Sequence, residues 1–141
     1  MAKIGEVSFL QEQENGCVRL SIKVPICKDE DIKYKVSAQL YPSFFNGAKL
    51  PKVEVMAKTC LLMEGDSEIN MEFVIDKPRL WMPEGEGDQH LYNVDFTIKP
   101  AGMRMSGGAA ALEITKVAPL DEKSYTIRLT TMQVDTIVDM N

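Results

Sequence analysis

The chain has 141 residues, of which 45% are hydrophobic and 26% are charged, and its formal net charge is -5. This balance is typical of one folded domain, and it excludes a disordered or fibrous segment. Lys and Arg form no basic cluster, so nucleic acid is not expected as a partner. A membrane is not expected either, because no apolar run reaches the roughly 18 to 20 residues of a spanning helix.

Alternation of apolar and polar residues predicts β-strands along most of the chain. The clearest run begins at Val18, where every second residue up to Val24 is aliphatic. Before it, Asn15 and Gly16 predict a tight hairpin turn that joins the first two strands. The strands predicted from clear alternation cover residues 18–24, 33–40, 69–75 and 92–98. Further strands are predicted at residues 6–11, 52–62, 110–117 and 125–134, with a bulge or turn near 130–132 in the last.

These strands predict an all-β protein, because helical periodicity is not sustained anywhere for the length that a packed helix needs. Irregular strand spacing without internal repeats favours a two-sheet sandwich over a propeller or a β-helix. The expectation is a single domain over residues 1–141, with about seven to eight antiparallel strands. Residues 100–123 are rich in Gly and Ala and interrupt the rhythm, so they are interpreted as an inserted flexible connection, long and mobile over 100–108.

Cysteine chemistry is not expected. Cys17, Cys27 and Cys60 are odd in number, no two of them form a C-x-x-C motif, and none lies near the single histidine, His90. The disulfide of antibody domains places a Trp between its two cysteines, whereas the only Trp here follows all three. The thiols are therefore interpreted as structural or incidental, and no metal or cofactor is predicted.

An acidic alternation at Glu84, Glu86 and Asp88 has two interpretations. Alternating carboxylates occur in calcium loops, but a calcium site needs about six to eight oxygen ligands, and the EF-hand pattern with its closing Glu is absent. Solvated side chains of a turn are the favoured interpretation.

The most distinctive stretch lies within residues 76–94 and combines prolines, the single Trp and a glycine-rich turn. Its motif residues are Pro78, Leu80, Trp81, Pro83, Gly85, Leu91 and Tyr92. The two prolines fix φ near -65° on either side of the Leu-Trp pair, so the chain leaves its strand in a defined direction. Gly85 then permits a sharp return into the next strand. The motif predicts a structural corner.

This motif resembles the Pro-x-Leu-Trp-x-Pro, glycine-rich loop and Leu-Tyr segment of the immunoglobulin-like domain of family 2 glycoside hydrolases, such as β-galactosidases and β-mannosidases. The resemblance weakens after the Leu-Tyr strand, since neither Gly-Phe-Arg nor Gly-Ile-Arg follows. It implies an immunoglobulin-like sandwich whose partners are neighbouring domains of the parent chain, a sugar-binding sandwich and a catalytic barrel. The compartment stays open between a periplasmic or secreted parent in a bacterium and a cytoplasmic one.

The resemblance also implies that this domain is not itself catalytic. In the family, the catalytic glutamates belong to the barrel, and the acid/base residue follows an Asn, but the chain contains no Asn-Glu pair. A (β/α)₈ barrel typically takes about 250 residues, which the chain does not have. No catalytic residue is therefore carried over, and the expected function is that of a spacer within a β-glycosidase.

The alternative function is a stand-alone sandwich that binds carbohydrate or protein. Trp81, between two prolines at the end of a sandwich, is expected to be largely buried, whereas an open aromatic ring there would favour sugar stacking and the alternative. A chain start and end at opposite poles of the sandwich would favour the spacer.

Overall fold

The computed structural model describes residues 2–43, 55–101, 119–132 and 134–140. Within these ranges the chain forms strands and no helix. The strands are β1 (Ala2–Ile4), β2 (Ser8–Glu14), β3 (Cys17–Lys28), β4 (Tyr34–Pro42), β5 (Met56–Leu62), β6 (Glu68–Asp76), β7 (Tyr92–Pro100), β8 (Asp121–Ile127) and β9 (Ile137–Met140).

These strands form two antiparallel sheets. In the first sheet, β3 is central, and it pairs with β1, β2 and β6. The second sheet has the order β5-β4-β7-β8-β9. The chain crosses between the sheets after β3, β5 and β6, which is the Greek-key division of an immunoglobulin-like sandwich. The predicted fold class is confirmed, with nine strands in the described residues where about seven to eight were expected.

The core lies between the sheets because the central strands alternate strictly between buried and exposed side chains. In β4 the pattern runs from buried Tyr34 to buried Pro42, with every second side chain on the outer face. Phe9, Phe96 and Tyr125 form an aromatic cluster, with ring centroids between 5.5 and 6.3 Å apart. Each fully buried aliphatic or Phe side chain stabilises the fold by about 1.5–3 kcal/mol, so this alternation provides most of the driving force.

The predicted hairpin turn joins β2 and β3. Asn15 has φ 37° and Gly16 has φ 84°, so both central residues are left-handed, as a type I′ turn requires. Glu14 pairs directly with Cys17 across the turn. The hairpin sets the register of the first sheet, because the paired residues follow in order from this turn.

The four strands predicted from clear alternation lie within β3, β4, β6 and β7, apart from Lys33, which immediately precedes β4. The prediction at 6–11 overlaps β2, and the prediction at 52–62 overlaps β5, with residues 52–54 outside the described ranges. Residues 110–117 also lie outside them. The prediction at 125–134 overlaps β8, and the turn expected near 130–132 lies in the segment between β8 and β9. Its continuation as a strand to Val134 was wrong, since β8 ends at Ile127 and the chain pairs again only in β9. Strands β1 and β9 were not predicted, because runs this short show no period.

The segment at residues 100–123 is described only at its ends. Pro100 is the last residue of β7, and Asp121 is the first residue of β8. Residues 102–118, which include most of the interpreted connection, lie outside the described ranges.

A bulge separates β1 from β2. Ile4 pairs with Ile26 and Ser8 pairs with Lys23, so three residues, 5–7, lie opposite two residues of β3, 24–25. Side chains of β8 form hydrogen bonds with the backbone at this bulge. The N–H groups of Ile4 and Val7 donate to Asp121 Oδ2 at 2.8 Å and to Tyr125 Oη at 3.1 Å.

Lys123 of β8 completes this set, because its Nζ donates to the carbonyl oxygen of Gly5 at 3.0 Å. One strand of the second sheet therefore binds the backbone where the first sheet is interrupted. Because β9 also pairs with β8, the first and last described strands both adjoin β8.

The cysteines are free thiols that lie apart from one another. Cys17 Sγ donates to Asp76 Oδ1 at 3.4 Å, and this hydrogen bond to a carboxylate raises the pKa of the Cys17 thiol. Cys27 is exposed, and Cys60 packs against the core.

Candidate functional site

The motif residues meet at one end of the sandwich, where β6 leads into β7. After β6, Lys77 adopts φ 49° and donates its N–H to the carbonyl oxygen of Gly16 at 3.1 Å. The N–H of Arg79 then donates to Tyr92 Oη at 2.8 Å. Leu80 packs against the core, and Tyr92, only 5% exposed, belongs to it. The start of the corner is thus attached to the strand that follows it, as a structural corner requires.

The tip of the corner is a small closed loop. The N–H of Met82 donates to the carbonyl oxygen of Asp88 at 3.0 Å, and that of Glu86 donates to Pro83 O at 3.0 Å. Gly85 has φ 88°, which fits the third position of a type II turn. A side chain at Gly87 would lie 3.0 Å from Met82 Cγ, so this position also needs glycine for space.

Trp81 lies at the rim of the sandwich and is half-buried. The backbone N–H of Trp81 donates to the carbonyl oxygen of Leu129 at 2.8 Å, and the Arg128 guanidinium carbon is 4.7 Å from the centroid of the Trp81 ring. The expectation that Trp81 is largely buried is met only in part, because its side chain is partly exposed and is not among those that pack against the core. Because its backbone bonds to the segment after β8, the ring faces Arg128, and the core contacts of the motif come from Leu80 and Tyr92 instead.

Pro78, Pro83 and Leu91 are half-buried, and Gly85 is exposed. The carbonyl oxygen of Leu91 accepts the N–H of Ser43 at 2.9 Å, which connects the corner to the end of β4. The structure therefore places all the motif residues at one end of the sandwich. Their functional role stays a prediction.

A second segment at this end was predicted only as a bulge or turn near 130–132, and its contacts were not predicted. The chain after β8 turns back on itself, and the N–H of Arg128 donates to Thr136 O at 2.9 Å. Gln11 of β2 binds it from the other sheet: its Nε2 donates to Arg128 O at 3.0 Å, and its Oε1 accepts the N–H of Thr130 at 3.1 Å. Gln13 Nε2 also donates to Thr130 O at 3.1 Å. These partners are more than a hundred residues apart in sequence, so no local pattern indicates them.

The charged groups of the corner are solvated. Glu84, Glu86 and Asp88 are exposed, and His90 Nε2 lies 3.5 Å from Asp88 Oδ2. In the described part of the chain, no group of three or more His, Cys, Asp or Glu side chains is placed to hold a metal ion. The arrangement offers a contact surface of aromatic, apolar and acidic side chains.

An open groove lies at the opposite end of the sandwich and has a volume of about 810 Å³. Its lining includes Lys28 and Asp31, which pair at 3.3 Å. The N–H of Gly65 donates to Asp31 Oδ1 at 2.6 Å, and this hydrogen bond, with Lys28, lowers the pKa of the Asp31 carboxyl. Lys28, Asp31 and Gly65 therefore bond to one another and connect the loop after β3 to the loop after β5.

Among the described residues, no helix is long and apolar enough to cross a membrane.

Together, the fold and the corner define an immunoglobulin-like sandwich domain. The family model for glycosyl hydrolases family 2 matches residues 3–104, a range that includes the whole motif. The chain belongs to this family. None of the curated proteins compared with it matches.

Solved structures of glycosidases have a similar fold. A β-glycosidase from Bacteroides vulgatus is 14% identical, with a TM-score of 0.60, over 91% of this chain and 13% of that one. Bacteroides uniformis β-glucuronidase 2 is 16% identical, with a TM-score of 0.60, over 91% of this chain and 14% of that one. The β-D-mannosidase of Dictyoglomus thermophilum is 17% identical, with a TM-score of 0.55, over 69% and 11%. The chain thus spans only a small part of each of these enzymes.

Proposed function

We propose that this chain is a non-catalytic spacer domain of a β-galactosidase-like or β-mannosidase-like enzyme of family 2. In this proposal it positions a sugar-binding domain and a catalytic barrel within a longer parent protein. One observation carries the proposal: a sandwich that matches the family model over residues 3–104 corresponds to only 13% of a glycosidase chain. The remainder of such an enzyme has to supply the catalytic groups.

The spacer acts through geometry. Hydrogen bonds from the backbone of Ile4 and Val7 to β8, and from the N–H of Thr130 to Gln11, join the two sheets into one rigid unit. Domains attached to a rigid unit keep a fixed relative position. Misplacing catalytic groups by about 1 Å can cost on the order of a hundredfold in rate, so a rigid spacer contributes to catalysis from a distance.

The alternative is a stand-alone sandwich that binds carbohydrate or protein. The position of the terminal strands does not separate the two functions, because β1 and β9 both adjoin β8, while Lys3 lines the groove away from the corner and Met140 pairs with Tyr125. The Trp81 ring argues against the sugar-binding form, since Arg128 lies over it and the ring is no open platform.

The test compares glycosidase activity in three proteins: the 141-residue chain, the natural polypeptide that contains it, and that polypeptide with the domain deleted. Each is incubated with a panel of nitrophenyl β-glycosides. We expect turnover by the natural polypeptide, none by the isolated chain, and a loss of about tenfold or more on deletion.

Two results would contradict the spacer. One is turnover by the isolated chain that survives further purification and disappears when one of its own glutamates is replaced. The other is full activity after deletion of the domain. Binding of an oligosaccharide by the isolated chain, measured by calorimetry, would support the alternative.

A further inference from the structure

Strand β5 is an edge of the second sheet. Among the described strands it pairs only with β4, and the register along Met56–Leu62 is unbroken. In an antiparallel ladder, successive residues of a strand direct their N–H and C=O groups to opposite neighbours. The N–H of Ser43, just after β4, donates to Leu91 O at 2.9 Å, so the odd-numbered residues of β4 bond to β7. Its even-numbered residues therefore bond to β5.

The backbone of Ala57, Thr59 and Leu61 forms the free edge of β5. These three residues lie opposite odd-numbered residues of β4, so their N–H and C=O groups point away from β4. No strand in the described part of the chain pairs with them there. Their side chains are exposed, and that of Leu61 has 53% of its surface accessible. An unpaired edge of this kind is a template for pairing with another strand.

The other edge strands have features that discourage strand pairing. Strand β6 exposes three carboxylates and β2 exposes two, while β1 and β9 are only three and four residues long. The pairing of β9 also contains a register shift. Strand β5 has no proline, no register shift and a single charged residue, Lys58. Within the described ranges, β5 is therefore the edge with the least protection against pairing.

A second copy of β5 fits this edge across a two-fold axis at Thr59. Antiparallel pairing then places Thr59 opposite Thr59 of the second copy, and Ala57 opposite its Leu61. All three are free-edge residues, so each of the three pairs exchanges two hydrogen bonds. The exposed Leu61 side chain lies beside Ala57 of the other copy. Lys58, a residue type that usually discourages edge pairing, lies opposite Cys60 of the second copy and not opposite another lysine.

We propose that the 141-residue chain forms a reversible dimer through β5, in which the second sheets of two copies join edge to edge. The contact is small, because a strand of seven residues is about 23 Å long and the buried strip is about 10 Å wide. Its total area of about 460 Å² lies well below the roughly 1,200 Å² of a stable interface, so the dimer dissociates on dilution. This self-association goes beyond the spacer function and does not depend on it.

Sedimentation equilibrium of the chain between about 10 µM and about 1 mM tests the dimer. The average mass should rise with concentration from 15.8 kDa toward twice that value. Thr59→Lys and Thr59→Glu each place like charges opposite one another at the two-fold axis, so each should weaken association about fivefold. An equal mixture of the two variants should restore association, because opposite charges then meet at the axis.

Val74→Glu is the matched control, because Val74 is 49% exposed and lies in another edge strand, β6. It should associate as the wild type does. All three variants should keep the circular dichroism spectrum and melting temperature of the wild type, since both positions are exposed. A wild-type chain that stays at 15.8 kDa up to about 1 mM would overturn the dimer. A dimer that the Thr59 variants do not weaken, or that their mixture does not restore, would overturn its assignment to β5.

Discussion

The hydroxyl of Tyr125 provides a quantitative test of how the two sheets are joined. Tyr125 is 1% exposed, and its Oη accepts the buried N–H of Val7 at 3.1 Å. In Tyr125→Phe the ring keeps its edge contact with Phe9 at 5.5 Å, while the Val7 N–H loses its acceptor. Leaving a buried donor unsatisfied costs about 1–3 kcal/mol, so the free energy of unfolding should fall by that amount.

Tyr34 offers a control of matched burial. It is also 1% exposed, but its hydroxyl is buried without a hydrogen-bond partner among the described residues. Tyr34→Phe removes an unsatisfied polar group, so the free energy of unfolding should stay the same or rise.

Urea unfolding of the isolated chain, followed by circular dichroism, measures both variants against the wild type. The melting temperature of Tyr125→Phe should also fall, by about 4 °C for each kcal/mol lost in a domain of this size. Equal stabilities for the Tyr125 and Tyr34 variants would refute the reasoning, because the hydrogen bond to Val7 would then contribute nothing.

Three further predictions concern the corner and the opposite end of the sandwich. Trp81→Ala should lower the free energy of unfolding by about 2 kcal/mol, less than a core truncation, because the ring is half-buried and loses mainly its stacking with Arg128; a loss as large as about 4 kcal/mol in urea unfolding would indicate a core residue instead. Gly85→Ala should cost about 1 kcal/mol in the same assay because of its φ of 88°, and an unchanged midpoint would exclude the type II turn. Asp31→Asn should destabilise the chain at neutral pH but not in acid. The folded pKa of Asp31 lies below its ordinary value of 3.8, so its contribution is present above that pH and is lost as the pH falls through the folded pKa. A stability difference that persists at about pH 2 would contradict this assignment.

Local chemistry in the sequence determined the class of fold and several of its details. Alternation from Val18 to Val24 predicts a strand because successive side chains point to opposite faces, and this holds whatever lies on either side. Asn15 and Gly16 specify their turn because both tolerate positive φ. The order of prolines, Trp and glycine between Pro78 and Tyr92 likewise indicated a corner between two strands. Each of these signals lies within about twenty residues of chain.

Only the tertiary structure decided how distant segments meet. Tyr125 binds Val7 and Gln11 binds Thr130 across 118 and 119 residues, and nothing near any of these residues marks its partner. The position of Trp81 depended on the same kind of contact. The prolines on either side of Trp81 are typical of a buried ring, but the backbone hydrogen bond to Leu129 holds Trp81 at the rim of the sandwich. Burial depends on which surfaces the sheets bring together, and a pattern of period two specifies a face of a strand without specifying what covers it.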